Sequence, residues 1–277
     1  MFAGFVITLR EGLEAALVVA IMMGVLRRLD RLDQARAAWG GVFAAILVSL
    51  VVGVGLNRLG VTFEGPSEAA FEGLVMLMAA AMLTWMILWM QRQGPQVRSA
   101  LEQDTIRAAS QDSAHMLFGL SFVAVLREGL ETALFLTAAA FGLSPVQTLV
   151  GGALGLLCAA ILGWLIYMGE RRLNLRAFFR LTSFLLILFS AGLVAHGIRE
   201  LQEVALLPWA GKRVWDLSSV LISESSILGS ILKTLLGYNP NPSWLEVVGY
   251  IAYFPILWAV NRHIQRRHPR AQFLAGG

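Results

Sequence analysis

The chain has 277 residues, of which 57% are hydrophobic and only 14% are charged, and its mean hydropathy is +0.68. A soluble domain carries about 25% charged residues, so this composition excludes a soluble globular protein and predicts a polytopic membrane protein. The net charge of +4 and the pI near 9.7 follow from basic residues that flank the spans, and nothing indicates nucleic acid as a partner. The single Cys158 excludes a disulfide within the chain.

Seven apolar stretches, each near the ~20 residues that a bilayer requires, predict an all-α integral membrane protein with seven transmembrane helices. The predicted spans are residues 3–26, 37–57, 67–90, 115–140, 145–168, 179–201 and 244–262. The polar segment 91–114 is predicted to be a cytoplasmic surface helix or linker. The longest predicted loop, 202–243, lies outside and contains a partly apolar stretch that suggests an interfacial or re-entrant helix. A seventh span and cytoplasmic tail occupy 244–277.

The first and fourth spans carry the same pentapeptide, Arg-Glu-Gly-Leu-Glu, at Arg10–Glu14 and Arg127–Glu131. The surrounding residues 5–17 and 122–134 are identical at ten of thirteen positions, with an offset of 117. This offset maps the first three spans, residues 1–90, onto the next three, residues 115–201. A three-span unit reverses its direction when it is repeated. The two halves are therefore predicted to be inverted repeats, which place transport sites near the bilayer midplane.

Basic residues predict the orientation of the chain. Outside the two pentapeptides, fifteen of the twenty Lys and Arg residues fall on the side of Arg27 and Arg28. The positive-inside rule makes this side cytoplasmic, so the N-terminus is expected outside and the C-terminus inside the inner (plasma) membrane. The outer face then carries an excess of acids. Two interpretations remain open: the acids concentrate cations, or they are simply what the positive-inside rule leaves outside.

Charges within a span cost about 2.5–3.5 kcal/mol each on insertion scales and indicate a functional site. In a helix, Glu11 and Glu14 share one face, and so do Glu128 and Glu131. If the two helices face each other, four carboxylates converge as hard ligands for a hard cation. In the absence of metal, we expect some of these carboxylates to take up protons, so that protons and metal compete.

A structural interpretation of the motif is the alternative. At i,i+4 spacing, Arg10 can pair with Glu14 and Arg127 with Glu131, which neutralises buried charge but leaves one carboxylate per motif without a partner. In the metal-site interpretation, Arg10 and Arg127 compensate charge and hold the carboxylates in place. The central glycine of each motif allows close backbone approach or local unwinding around an ion.

Further candidate ligands lie near the outer ends of the third and sixth spans. Glu68 and Glu72 follow each other at i,i+4 spacing, and His196 and Glu200 do the same. We expect these four residues to capture the ion before it reaches the central site. Acids are also favoured by the helix dipole in a first turn, which is a sufficient alternative for Glu68. For Glu200 the alternative is structural, because Arg199 can neutralise either Glu200 or Glu203.

Methionines recur at every fourth position of the third span, at Met78, Met82, Met86 and Met90. Thioethers bind soft ions, so a metal role is one interpretation of this stripe. Flexible packing against neighbouring helices or lipid is the interpretation that we favour.

The doubled pentapeptide resembles the hallmark of the oxidase-dependent iron permeases, the ferric permease family whose bacterial branch is called EfeU. Three shorter stretches resemble the family as well: Phe71-Glu72-Gly73, Ala195-His196-Gly197 and Leu245-Glu246-Val247. The resemblance covers the whole chain and implies seven spans, import of iron and iron-carrying Glu residues in both motifs. It also implies a periplasmic partner that oxidises iron, has peroxidase activity or delivers iron.

We therefore expect an inner-membrane permease rather than an enzyme, with Fe3+ as its transported ion and no other cofactor. The first alternative is the same architecture carrying another cation, such as lead or manganese. The second is an intramembrane di-metal oxidoreductase. Such enzymes typically supply Glu-x-x-His pairs, and no His follows either Glu pair at that spacing. The expected partners are iron and membrane lipid, and the sequence is also compatible with a homo-oligomer.

Overall fold

The computed structural model describes residues 1–63, 65–142, 145–168, 174–208, 214 and 241–267. Within these residues the chain is all-helical, as predicted. The α-helices are α1 (Phe2–Arg28), α2 (Ala35–Thr62), α3 (Pro66–Ser110), α4 (Ala114–Gly142), α5 (Pro145–Met168), α6 (Leu175–Glu203) and α7 (Trp244–Arg267). A 3₁₀ turn, Leu32–Gln34, joins α1 to α2. Most of the predicted outer loop, including its apolar stretch, and the end of the cytoplasmic tail lie outside the described residues.

Five stretches in the described part of the chain are long and apolar enough to cross a membrane. They lie on α2, the first part of α3 (Pro66–Met90), α5, α6 and α7, and they overlap predicted spans two, three, five, six and seven. The other two predicted spans correspond to α1 and α4, which have 27 and 29 residues. These two helices differ from the five because each carries the three charges of the pentapeptide.

The third helix is longer than its predicted span. We expected the membrane helix to give way to a separate segment at residue 91, but α3 continues to Ser110. Its second half is held against the C-terminal end of α1. There Ala108 packs in an apolar cluster with Leu26, and the Arg28 guanidinium lies 3.0 Å from the Glu102 carboxylate. These contacts give the polar segment a packed partner, so the helix has no reason to end where the apolar sequence does.

Local chemistry sets several helix ends. Both α1 and α3 are followed by an aspartate in the left-handed region, Asp30 at φ 56° and Asp112 at φ 52°, a conformation that Asp tolerates better than most residues. Gly65 has φ 64° and precedes Pro66, whose fixed φ suits the first turn of α3. The side chain of Asn174 caps α6.

The start of α7 is tied to the end of α6. Ser243 and Glu246 form a reciprocal capping box: the Glu246 amide donates to Ser243 Oγ at 3.2 Å, and the Ser243 amide donates to Glu246 Oε1 at 3.0 Å. Ser243 Oγ also donates to Gln202 Oε1 at 2.7 Å. Glu246, which the resemblance had drawn attention to, therefore has a structural role at this helix start.

The helices pair across the two halves of the chain. The most extensive contacts join α1 with α5, α2 with α4, and α3 with α6, while α7 packs on α6. Exchanging the halves, so that α1 becomes α4, α2 becomes α5 and α3 becomes α6, leaves this set of three pairs unchanged. The pairing thus has the symmetry of the sequence repeat.

Small residues bring the paired helices into close contact, as the spacing of Gly151 and Gly155 predicts. A Cβ added at either glycine would overlap atoms at the start of the chain or on α1. Thr8 Oγ1 donates to the Gly152 carbonyl at 2.8 Å, which joins the same two helices. On α2, a Cβ at Gly41 would overlap α4 in the same way. This close packing leaves α1 and α4 little freedom to move relative to their partners.

Candidate metal centre

Each pentapeptide lies within an unbroken helix, the first on α1 and the second on α4. Local unwinding at the central glycine, one of the two expectations, does not occur. Both glycines instead allow close approach of a neighbouring helix. A Cβ at Gly12 would lie 2.9 Å from Ala159 Cβ of α5, and a Cβ at Gly129 would lie 2.7 Å from Ser49 Cβ of α2.

Three of the four motif carboxylates meet in the interior of the helix bundle. Glu11, Glu128 and Glu131 are buried, and each offers one carboxylate oxygen such that these atoms all lie within 4.8 Å of one another. This span is about twice a metal–oxygen bond of ~2.0–2.6 Å, so one cation can touch all three oxygens after small side-chain adjustments. Within the described residues, His, Cys, Asp and Glu side chains form no second group of three with this spacing.

Glu14 lies outside the group of three. Its side chain is 16% exposed, and Oε1 lies 3.2 Å from Nη2 of Arg10. The expected four-carboxylate cluster is thus three carboxylates with Glu14 beside them. The i,i+4 pairing of Arg10 with Glu14 occurs, but it does not leave Glu11 without a partner, because Arg10 Nη1 also lies 3.0 Å from Glu11 Oε1.

The two motif arginines have different surroundings. Arg10 is completely buried, and besides its two carboxylates it donates from Nη1 to Met86 Sδ at 3.0 Å and from Nη2 to Met90 Sδ at 3.1 Å. Arg127 has a side chain that is 45% exposed, and its Nε donates to Glu131 Oε1 at 3.0 Å. The Arg127 guanidinium also lies over the Trp89 ring, 4.7 Å from the centroid.

The three clustered carboxylates each have one buried oxygen that makes no hydrogen bond to the described residues. These oxygens are Glu11 Oε2, Glu128 Oε2 and Glu131 Oε2, whereas the buried Glu14 Oε1 has the Arg10 guanidinium 3.2 Å away. A buried charged group without a hydrogen bond is costly, and buried polar atoms without partners are rare in folded proteins. The orphaned oxygens therefore give the cluster the capacity to accept a cation or protons.

A cavity of about 950 Å³ gives access to the cluster from between α1, α2, α4 and α5. Its wall is mostly apolar and includes Glu11, Glu128 and both motif glycines. The other side chains of the lining that carry a polar atom are Trp39, Ser49, Asn57, Thr132, Thr137, Trp164 and Tyr167. Glu128, 9% exposed, thus faces the cavity, whereas Glu11 borders it and is fully buried.

The outer candidates gather where α3 crosses α6. A Cβ at Gly73 would lie 3.0 Å from the Gly197 carbonyl and 3.2 Å from Glu200 Cβ, which places Glu72 next to Glu200. Glu68, Glu72 and Glu200 lie within electrostatic reach of one another. His196 Nδ1 lies 3.0 Å from the Gly192 carbonyl of its own helix. Arg199 pairs with Glu203, with Nε and Oε1 3.1 Å apart, which is one of the two expected pairings, and it also lies within electrostatic reach of Glu200.

Sequence reasoning missed the contacts that α3 makes with both motifs. The methionine stripe was noticed, but Met86 and Met90 serve as hydrogen-bond acceptors for Arg10, and Met78 and Met82 are exposed. Nothing in the sequence marked Trp89 as a contact of Arg127. A thioether has no charge to mark it as a partner of an arginine, and only the arrangement of α1, α3 and α4 reveals these contacts.

The fold and the buried acidic cluster together define a multi-pass helical membrane protein. The model of the iron permease FTR1 family matches residues 1–262, and the chain belongs to this family. The family that the pentapeptides indicated is thereby confirmed.

Its curated relatives are permeases with closely similar sequences. The ferrous iron permease EfeU of Escherichia coli O6:K15:H31 (strain 536 / UPEC) is 38% identical over 91% of this chain and 92% of the relative. EfeU of Shigella sonnei has the same identity and coverage, and EfeU of Yersinia pestis is 36% identical over 91% of this chain and 90% of the relative. No solved structure matches the chain.

Proposed function

We propose that the chain imports iron across the inner membrane through a carboxylate site shared by α1 and α4. The observation that supports this proposal most strongly is the meeting of Glu11, Glu128 and Glu131 within 4.8 Å. Both copies of the motif contribute to this group, which explains why the chain carries the pentapeptide twice. The buried, unbonded oxygens on the same side chains supply the ligands that a cation needs.

Ferric ion is the proposed cargo. When all are ionised, the four motif carboxylates and two guanidiniums sum to −2, so a divalent ion would neutralise the site and a trivalent ion would leave it at +1. Charge alone therefore does not choose between them, and the choice of Fe3+ rests on the all-carboxylate ligand set, which suits hard cations. Fe2+, for which the relatives are named, is the first alternative, followed by Mn2+ and Pb2+.

The proposed path begins at the outer ends of α3 and α6 and continues to the cluster. Glu68, Glu72, His196 and Glu200 are proposed to capture the ion, and a periplasmic oxidase, peroxidase or delivery protein is proposed to supply it. A trivalent ion crossing inward gains about 2.3 kcal/mol per charge per 100 mV, or roughly 7 kcal/mol in all. The membrane potential is thus sufficient to drive entry, provided that the central site does not hold the ion too tightly.

The proposed topology has seven spans, with α1 and α4 crossing the membrane despite their charges. The set of helix pairs is unchanged when the two halves of the chain are exchanged, which supports inverted repeats. The excess of Lys and Arg on one side supports an outer N-terminus. In a Cys158→Ala background, a cysteine at position 277 should react only with membrane-permeant thiol reagents. Reaction with an impermeant reagent in intact cells would mean that the orientation is reversed or the span count is even.

Reconstitution tests the transport proposal directly. Purified protein in liposomes with an inside-negative potassium potential is offered ferric citrate, Fe2+ with ascorbate, Mn2+ or Pb2+, and the trapped metal is measured. We expect Fe3+ to enter fastest, Glu11→Gln protein to be inactive and Glu203→Gln protein, altered at an exposed ion pair, to be normal. Faster entry of Fe2+ would mean that ferrous iron is the cargo and would leave the proposed site unchanged. No entry of any metal would contradict import by this chain alone.

A further inference from the structure

One turn of α3 contacts the arginines of both motif copies. Met86 and Met90 accept hydrogen bonds from the two terminal nitrogens of Arg10, at 3.0 and 3.1 Å. Trp89, between them in sequence, lies under the Arg127 guanidinium, with 4.7 Å from Cζ to the ring centroid. The two arginines belong to helices from different halves of the chain, so this turn is a shared contact for both.

The chemistry of these contacts differs from that of an ordinary ion pair. A thioether is a neutral, weak acceptor, and an indole ring attracts a cation through its π face. Both orient a guanidinium without adding negative charge. The positive charge of Arg10 therefore remains directed at Glu11 and Glu14, whose oxygens lie 3.0 and 3.2 Å away.

We propose that Met86, Trp89 and Met90 are positioning residues of the metal centre. By fixing the direction of both guanidiniums, they fix the carboxylates that those guanidiniums hold, and so set the spacing between the ligands of α1 and α4. This inference deepens the proposed function, because it concerns the same carboxylate cluster.

Simple packing is the rival explanation, and the helix contains its own control. Met78 and Met82 lie two turns earlier on α3 and are 49% and 37% exposed. A double Met78→Leu/Met82→Leu variant therefore changes the same chemistry on the same helix, away from the arginines.

Two substitutions at Met86 and Met90 separate positioning from packing. Leucine keeps the apolar volume and removes the acceptor, whereas glutamine keeps a similar length and a neutral acceptor. If these residues position Arg10, the double Gln variant should resemble the native protein more than the double Leu variant does. If the two methionines only fill space, the double Leu variant should resemble the native protein more than the double Gln variant, because an apolar exchange that conserves volume is tolerated best. At Trp89, phenylalanine keeps a π face and leucine does not, so positioning predicts that Trp89→Phe is the milder change.

Binding of Tb3+ to the detergent-purified full chain is the test, because it reports on a hard trivalent ion at the carboxylates and does not require transport. We expect Met86→Leu/Met90→Leu to weaken Tb3+ binding about tenfold, the order expected when a buried charged donor loses its acceptors. Met78→Leu/Met82→Leu should bind as the native chain does, and all variants should give the same monodisperse elution profile.

In liposomes, the Met86→Leu/Met90→Leu variant should raise the KM for iron more than it lowers the maximal rate. Native binding and KM in this variant, or Leu performing as well as Gln, would overturn the proposal. Absence of iron transport by the native chain would refute the proposed function and leave the Tb3+ result to decide the positioning role.

Discussion

The two copies of the pentapeptide have the same sequence but different environments. On α1, Arg10 is completely buried and has two carboxylates and two thioethers as partners. On α4, the Arg127 side chain is 45% exposed, pairs with Glu131 and rests on an indole ring. The comparison shows that the sequence repeat determines which residues each motif offers, whereas the surrounding helices determine how tightly those residues are packed. The α1 copy has the features of a rigid half-site, and the α4 copy those of an adaptable one.

Removing a clustered carboxylate should have the largest effect. Glu11→Gln, Glu128→Gln and Glu131→Gln should each reduce iron uptake by more than about tenfold, because a charge and a strong ligand are lost while the shape is kept. Glu14→Gln should reduce uptake less, since Glu14 lies outside the group of three. Radioactive iron uptake is measured in cells and normalised to inserted protein, with Glu203→Gln as the control. Normal rates for both Glu11→Gln and Glu128→Gln would show that the cluster is not the site.

Removing an arginine should reveal the difference in rigidity most directly. Arg10→Ala leaves the fully buried Glu11 and the mostly buried Glu14 without their counter-charge, a change that costs about 3–5 kcal/mol for a buried pair. Arg127→Ala removes a half-exposed guanidinium but leaves the buried Glu131 without its counter-charge. Its loss should therefore exceed the about 1 kcal/mol of a surface pair and stay below that of Arg10→Ala. Arg10→Lys should fall between native and Arg10→Ala, because it keeps the charge and loses the planar fork. Thermal unfolding in detergent measures these effects, and equal losses for the two Ala variants would contradict the asymmetry.

The motif glycines offer a sharper comparison of the two copies. Gly12→Ala and Gly129→Ala should each destabilise by about 1–3 kcal/mol, since the new methyl group enters a packed helix contact. Ser49→Gly should restore stability to Gly129→Ala and not to Gly12→Ala, because Ser49 contacts only the α4 glycine. Gly24→Ala and Gly55→Ala serve as controls, since a Cβ at either position meets nothing within 4 Å. Loss of stability in those controls would mean that helix glycines are needed for another reason.

The smallest effects are expected at the outer residues, away from both motif copies. Glu72→Gln and His196→Ala should slow uptake at low iron concentration and leave the rate at saturating iron unchanged, because capture and not translocation is impaired. Initial rates over a range of iron concentrations measure this, with Asp104→Asn, an exposed acid on the second half of α3, as the control. A lowered maximal rate in either variant would assign that residue to the central pathway instead.

Much of this architecture is predictable from the sequence, because apolar length and charge bias directly encode helices in a membrane. The meeting of Glu11, Glu128 and Glu131 follows from i,i+3 spacing on two repeated helices. The position of Glu14 and the unequal burial of the arginines cannot be predicted in this way, because they depend on how α3 packs against α1. The methionine stripe is an example. In a helix with about 3.6 residues per turn, each step of four residues moves the side chain by about 40° around the helix axis. Met78 therefore faces away, while Met86 and Met90 face Arg10.

The hydrogen bond between Gln202 and Ser243 has a practical consequence for engineering. Because these side chains hold the end of α6 and the start of α7 together at 2.7 Å, the chain between them leaves and returns at one fixed point. An insertion that leaves both side chains in place therefore does not have to separate the ends of these two helices.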